Sequence, residues 1–118
     1  MQSSKICCGI AIPQTLTDPL ATSFIRRFLT RAEELGYEGL WVQEQIIGDV
    51  PILEPVTLLT YAAALTSKPR LGTAVLITVI RNPVQLAKSL ASLDQLCNGR
   101  LIVGVGVGGP HEIGRAHV

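Results

Sequence analysis

The chain has 118 residues, 47% hydrophobic and 16% charged, with a formal net charge of +1. So neutral a balance gives no electrostatic case for nucleic acid or an anionic membrane surface, and no apolar run approaches a membrane span. The apolar surplus is high for one small domain or a piece of a larger one; strands buried on both faces would account for it, as would partners outside this chain.

The first element is a strand from Lys5 to Ile12, ended by Pro13. Before it, "MQSSKICCGIAIP" lacks the long apolar region and cleavage site of a secretory signal, so a cytoplasmic location is expected. Cys7, Cys8 and Cys97 match no zinc spacing, which implies no metal site. They are expected to be buried, reduced thiols. Asp18-Pro19 reads as a cap followed by proline at the first helical position. Ala21, Phe24, Ile25, Phe28, Leu29, Ala32 and Leu35 then form one face of an amphipathic helix, with Arg26, Arg27, Arg31, Glu33 and Glu34 mostly opposite. Gly36 is placed to end it.

"GLWVQEQ", Gly39 to Gln45, is the second strand, followed by a loop with Gly48, Asp49 and Pro51. Glu54-Pro55 opens the second helix, "EPVTLLTYAAALT", and Pro69 marks its end. Leu71 to Val79 is a third strand rich in β-branched residues. Asn82-Pro83 opens the third helix, with Asn82 as cap and Gln85 at the capping-box position. Leu86, Ala87, Leu90, Leu93 and Cys97 form its expected buried face, and Gly99 ends it. "RLIVGVGVG" is the fourth strand. The order βαβαβαβ, with strands about thirty residues apart, is the rhythm of parallel βαβ units. With crossovers of one hand, it fits either an open doubly wound sheet or the first half of a (β/α)8 barrel.

In both architectures sites form at the C-terminal ends of the strands. That rule selects Ile12 to Gln14, Gln43 to Gln45, Ile77 to Arg81, and Gly104 to Gly109. Glu44 ends strand two, where a carboxylate can bind a ligand or act as a base, or simply lie solvated. Gly104, Gly106 and Gly109 make a G-x-G-x-x-G pattern, but Pro110 stands where a dinucleotide fingerprint needs a helix. Glycines at alternate positions, Gly104, Gly106 and Gly108, clear one face of the strand, for a flat ligand or for close packing of a neighbour. Arg81 could reach a phosphate or carboxylate from a helix N-terminus, but an exposed arginine without a partner is the expected state. Trp41 is expected in the core, and nothing assigns a role to His111.

"AEELGYEGLWVQEQ", "RLGTAVL", "RNPVQLAKSLASLDQL" and "GRLIVGVGVG", in that order and spacing, resemble the N-terminal portion of the luciferase-like monooxygenases. The resemblance runs from about residue 5 to 109. It implies an α/β fold, the first four or so βα units of a TIM (β/α)8 barrel with parallel strands. It also implies an oxidoreductase that binds FMN, or in some branches the deazaflavin coenzyme F420, together with a small organic substrate. Reduced flavin would transfer hydride or activate oxygen, while the protein supplies placement and polarity.

The family's non-prolyl cis peptide on strand three, whose bulge backs the flavin ring, matches Ala74-Val75. Gly104, Gly106 and Gly108 would then lie beside the flavin. Many members end strand two with an acidic residue followed by histidine; here the pair is Glu44-Gln45. Gln45, on the substrate or cofactor side of strand two, cannot titrate, so Glu44 is left as the candidate catalytic group. Bacterial luciferase carries an arginine near the end of strand four, where this chain has Val107. The resemblance suggests a homo-oligomer for the full-length protein. A non-catalytic flavin-binding barrel and a small open-sheet nucleotide-binding module are the alternatives.

A (β/α) barrel needs roughly 250 residues, so residues 1–111 are expected to be its N-terminal portion, unable alone to complete a flavin site. "EIGRAHV", 112–118, matches the in-frame translation of a string resembling a common sequencing adapter, and is expected to be a non-biological tail.

Overall fold

A computed structural model describes residues 5–15, 21–45, 48 and 50–109. The elements run β1 (Gly9–Ala11), α1 (Ala21–Glu34), β2 (Gly39–Val42), α2 (Pro55–Leu65), β3 (Arg70–Ile77), a 3-10 turn (Thr78–Ile80), α3 (Pro83–Leu96) and β4 (Leu101–Gly106). The expected Asp18-Pro19 cap, His111 and the 112–118 tail lie outside the described residues.

The two later helices begin where the sequence places their caps. The Glu54 carboxylate accepts hydrogen bonds from the backbone N–H of Val56 at 3.0 Å and of Thr57 at 2.8 Å. Asn82 Oδ1 accepts from the N–H of Val84 at 2.9 Å and of Gln85 at 3.2 Å. Each satisfies orphan donors of a first turn, and proline follows each cap where its missing N–H costs nothing. Gly36 ends α1 with a φ of 83°, where a side chain would be strained.

All four strands are parallel, in the order β1-β2-β3-β4. Gly9 lies opposite Gly39, Leu40 opposite Leu71, and Leu71 opposite Leu101. This order decides between the two architectures. A doubly wound sheet reverses direction at a switch point, whereas here every strand lies beside its predecessor. Right-handed crossovers then put every helix on one face, as in a barrel wall.

The core lies between that face and the helices. Ile25, Leu29 and Ala32 of α1, Leu58, Leu59 and Ala62 of α2, and Leu93 and Cys97 at the end of α3 close on Leu40, Val42 and Leu71. The other face carries Trp41. Its indole lies flat over three strands, where Gly9, Gly39 and Gly72 leave room; a Cβ on any of them would overlap the ring. Trp41 is half-buried, where the sequence reading expects it in the core, and alternation turns it to the face opposite Leu40 and Val42.

Three further expectations are corrected. Cys7 and Cys8 are exposed, since they precede the part of β1 that pairs, and only Cys97 is buried. On α3, Ala87 is exposed and Leu86 and Leu90 are only half-buried, because α2 flanks that helix on one side alone. The first strand is also shorter than Lys5 to Ile12.

The N-terminal ends of the strands carry a separate tie. The Arg100 guanidinium donates to the carbonyls of Ala63 (3.3 Å), Thr66 (2.9 Å), Pro69 (3.0 Å) and Cys97 (2.8 Å), and to the Thr66 hydroxyl (3.0 Å). One cation thus satisfies carbonyls at the C-terminal ends of α2 and α3. Glu33 accepts from the N–H of Ser67 and Lys68 at 2.7 and 2.8 Å, fastening α1 to the loop after α2.

Candidate functional site

The C-terminal end of β3 is irregular. Thr73 pairs with Val103, but the next pairs are Leu76 with Val105 and Ile77 with Gly106, so β3 carries one extra residue. The Ala74-Val75 peptide inside this bulge is cis. The Thr73 hydroxyl bridges the gap, donating to the Gly104 carbonyl at 2.8 Å and accepting from the Gly104 N–H at 3.0 Å. It restores to β4 the partners that the bulge withdraws.

Gly104 and Gly106 face the bulge. A Cβ on Gly104 would overlap the Thr73 carbonyl oxygen, and one on Gly106 would come within 2.6 Å of a Val75 methyl. The cleared face of β4 is therefore filled first by the neighbouring strand. Leu101 points to the helices, so Gly104 and Gly106, three and five residues on, do not alternate with it by accident: they share the opposite, Trp41 face. Ala74 and Val75 stand exposed on that face as a shallow apolar shelf, with Val75 40% exposed. Gly108 follows with a φ of 81°.

A charged cluster joins the end of β2, the start of α2 and the residue after the 3-10 turn. The Arg81 Nε donates to both Glu44 oxygens, at 3.1 and 3.0 Å, and its Nη2 also contacts Glu44. The same Nη2 donates to Glu54 at 2.6 Å. The Glu44 side chain is fully buried, Arg81 is 18% exposed and Glu54 41%. Burial acts to lower the Arg81 pKa, but the hydrogen bonds to Glu44 and Glu54 outweigh it and hold the guanidinium above its ordinary value. Burial likewise pushes the Glu54 carboxyl up, and the bonds from Thr57, Arg81 and the Val56 N–H overcome it and hold it below the usual range.

Contrary to the expectation from sequence, Arg81 is neither exposed nor unpartnered; two carboxylates from the β2 end and the α2 cap converge on it. Glu44 is no solvated loop carboxylate either. Gln45 is exposed, with its side chain folded across Gly48. Gln14, which the sequence marks only by position, is 8% exposed. Its amide accepts from the Gln43 N–H at 2.8 Å and donates to the carbonyls of Gln43 (2.8 Å) and Leu53 (3.1 Å). Thr73 and Glu54 are the other contributors that sequence patterns miss, since their partners lie 31 and 27 residues away. Among the described residues, no cluster of three or more His, Cys, Asp or Glu could hold a metal, and no helix is long and apolar enough to cross a membrane.

Residues 4–117 match the family model of the luciferase-like monooxygenases. The chain belongs to this family. This luciferase-like chain is 35% identical, over 88 residues, to the F420-dependent glucose-6-phosphate dehydrogenase of Kineococcus radiotolerans, covering 69% of the chain and 26% of that protein. Among solved structures it resembles the coenzyme F420-dependent tetrahydromethanopterin reductase of Methanopyrus kandleri, with a TM-score of 0.74 and 26% identity over 98% of the chain and 31% of the reductase. It also resembles the oxygenating constituent of 3,6-diketocamphane monooxygenase from Pseudomonas putida, in complex with FMN, with a TM-score of 0.81 over 96% of the chain and 32% of that structure. At 19% identity, that second likeness speaks for the fold alone. The luciferase-like chain spans 26% of the length of that dehydrogenase and 31–32% of these two structures.

Proposed function

We propose that this chain supplies the first wall of a flavin-dependent oxidoreductase barrel, and that the shelf of Ala74 and Val75 backs the ring of FMN or of coenzyme F420. The observation that carries this reading is the β3 bulge locked onto Gly104 and Gly106 at the C-terminal ends of the strands. The shelf is apolar and free of long side chains, which suits a flat ring, and the glycines let the bulge seat deeply. When bound, such a cofactor supplies hydride transfer or oxygen activation toward a small organic substrate.

The chain's own residues bind and orient. Val75 and Ala74 offer contact surface, Thr73 fixes that surface to β4, and Gln14 ties the ends of β1 and β2 to the entry of α2. In this reading Glu44 holds Arg81 in place, since the Arg81 Nε donates to both of its oxygens. With Gln45 neutral, no proton-transfer group from the end of β2 faces the site among the described residues. That favours, as a second reading, a barrel that binds flavin without turning over.

The test is titration of the full-length gene product with FMN and with F420, followed by absorbance and by mass analysis of the retained cofactor. Binding that Val75→Asp weakens at least tenfold is the expected result; binding of neither cofactor would sink the reading. Turnover with reduced cofactor across a panel of small ketones, aldehydes and sugar phosphates then separates the enzyme from the non-catalytic alternative.

A further inference from the structure

We infer that Arg81 is a positioning residue for the rim of the site beyond the shelf: it fixes the Thr78–Ile80 turn by clamping the end of β3 to β2 through Glu44 and to the start of α2 through Glu54. The geometry stands by itself, and its consequence for cofactor binding rests on the function proposed above.

Packing holds the strand below this point. Leu76 and Ile77 are buried, at 0 and 3% exposure. Above it, the Thr78–Ile80 turn contains no buried residue and lacks a side-chain cap at its start. Val79 is 47% exposed. The turn closes on the Arg81 N–H, which donates to the Thr78 carbonyl at 3.2 Å. Thr78 and Ile80 are only half-buried, so packing holds the turn weakly, and the polar tie that anchors it comes from the residue that ends it. That residue is Arg81, and its guanidinium reaches two other elements.

The clamp is not an ordinary surface ion pair. A planar guanidinium in a fork with a fully buried carboxylate has a defined orientation, which a point charge on a flexible stem would not have. Two acids and one base meet here, so removing Arg81 leaves a buried carboxylate without its cation and a second carboxylate facing it. The Glu54 caps to Val56 and Thr57 do not pass through Arg81. Its loss is therefore felt at the turn and the β2 end, while α2 keeps its start.

The experiment compares amide hydrogen exchange in the full-length gene product and in Arg81→Met and Arg81→Lys, alongside the dissociation constants for FMN and F420. In Arg81→Met, exchange over 78–81 and 43–45 should accelerate about tenfold, the scale of one lost charge-assisted hydrogen bond, with the amides of α2 and α3 unchanged. Cofactor affinity should fall by a similar factor, and Arg81→Lys should recover only part of both. Unchanged exchange at 78–81, a uniform rise over the whole sheet, or local loosening with unaltered cofactor affinity would each overturn the inference. If the turn loosens locally but the unsubstituted protein binds neither cofactor, the clamp stands and the proposed cofactor fails. Should Arg81→Met not fold, Glu54→Gln carries the test, since it keeps an acceptor for the α2 cap and leaves Glu44 paired. A smaller, local loosening at 78–81 is expected from it, and its absence overturns the inference.

Discussion

Replacing Gly104 with alanine probes the contact on which the bulge and β4 close. The added methyl would overlap the Thr73 carbonyl oxygen, which belongs to the backbone and cannot swing aside. The strands must part there, stretching the bonds of 2.8 and 3.0 Å between the Thr73 hydroxyl and Gly104. Overpacking of this kind costs about 1–3 kcal/mol, and each hydrogen bond lost adds about 1 kcal/mol. A stiffer unfolded chain returns about 0.4–1 kcal/mol. The net loss should be about 2–5 kcal/mol, shared between the backbone clash and the two stretched hydrogen bonds. Gly106→Ala is the internal control. Its methyl meets a Val75 side chain that is 40% exposed and can give way toward solvent, unlike a backbone carbonyl, so the loss should be smaller, about 1 kcal/mol. Urea unfolding followed by far-ultraviolet circular dichroism reads the difference as a shift in midpoint at constant slope. If Gly104→Ala proves as mild as Gly106→Ala, the close approach of β3 and β4 is not what these glycines serve.

Three further outcomes are expected. Arg100→Met removes five hydrogen bonds from the ends of α2 and α3 and should cost about 2–4 kcal/mol in thermal or chemical unfolding, while a loss under about 1 kcal/mol would mean that water replaces the guanidinium. The Glu54 carboxyl has a lowered pKa in the folded state, so its contribution is present above the unfolded value and is lost as pH falls through the folded one. Stability should therefore decline below the ordinary carboxylate range, roughly pH 4–5, and Glu54→Gln should flatten that decline in a pH series of unfolding midpoints. Because Glu54 is 41% exposed, solvent screens part of this effect. Gly72→Ala places a methyl against the Trp41 ring and should change the tryptophan signal in near-ultraviolet circular dichroism; an unaltered spectrum would show that the indole does not lie across β3.

The helices and strands were legible because their signals are local: Glu54-Pro55 and Asn82-Pro83 are caps readable within four residues. Their ends were less so. The second strand stops at Val42, not Gln45, because the Gln43 N–H is taken by the Gln14 amide from another loop. The third strand stops at Ile77, where a 3-10 turn begins. Strand order, which separates a barrel wall from a doubly wound sheet, is a non-local property that periodicity does not carry. The Ala74-Val75 cis bond was expected from family resemblance, since no propensity distinguishes that peptide. The glycine pattern of β4 announces a cleared face, but not that the Thr73 carbonyl and Val75, about thirty residues away, enter it. The clamp was out of reach: Glu44 and Arg81 stand 37 residues apart, and neither is unusual alone.

The winding of the sheet also bears on how the chain is made. Gly9 pairs with Gly39, Gly39 with Arg70, and Leu71 with Leu101, so every ladder among the described strands closes a loop of about thirty residues, part of it already shortened by a helix. Among the four described strands each ladder joins consecutive units, so in a closed barrel only the outer edge of β1 waits for a strand made far downstream. Each βα unit can dock on the edge left by the one before it, in the order of synthesis, and the growing edge is always the most recent strand.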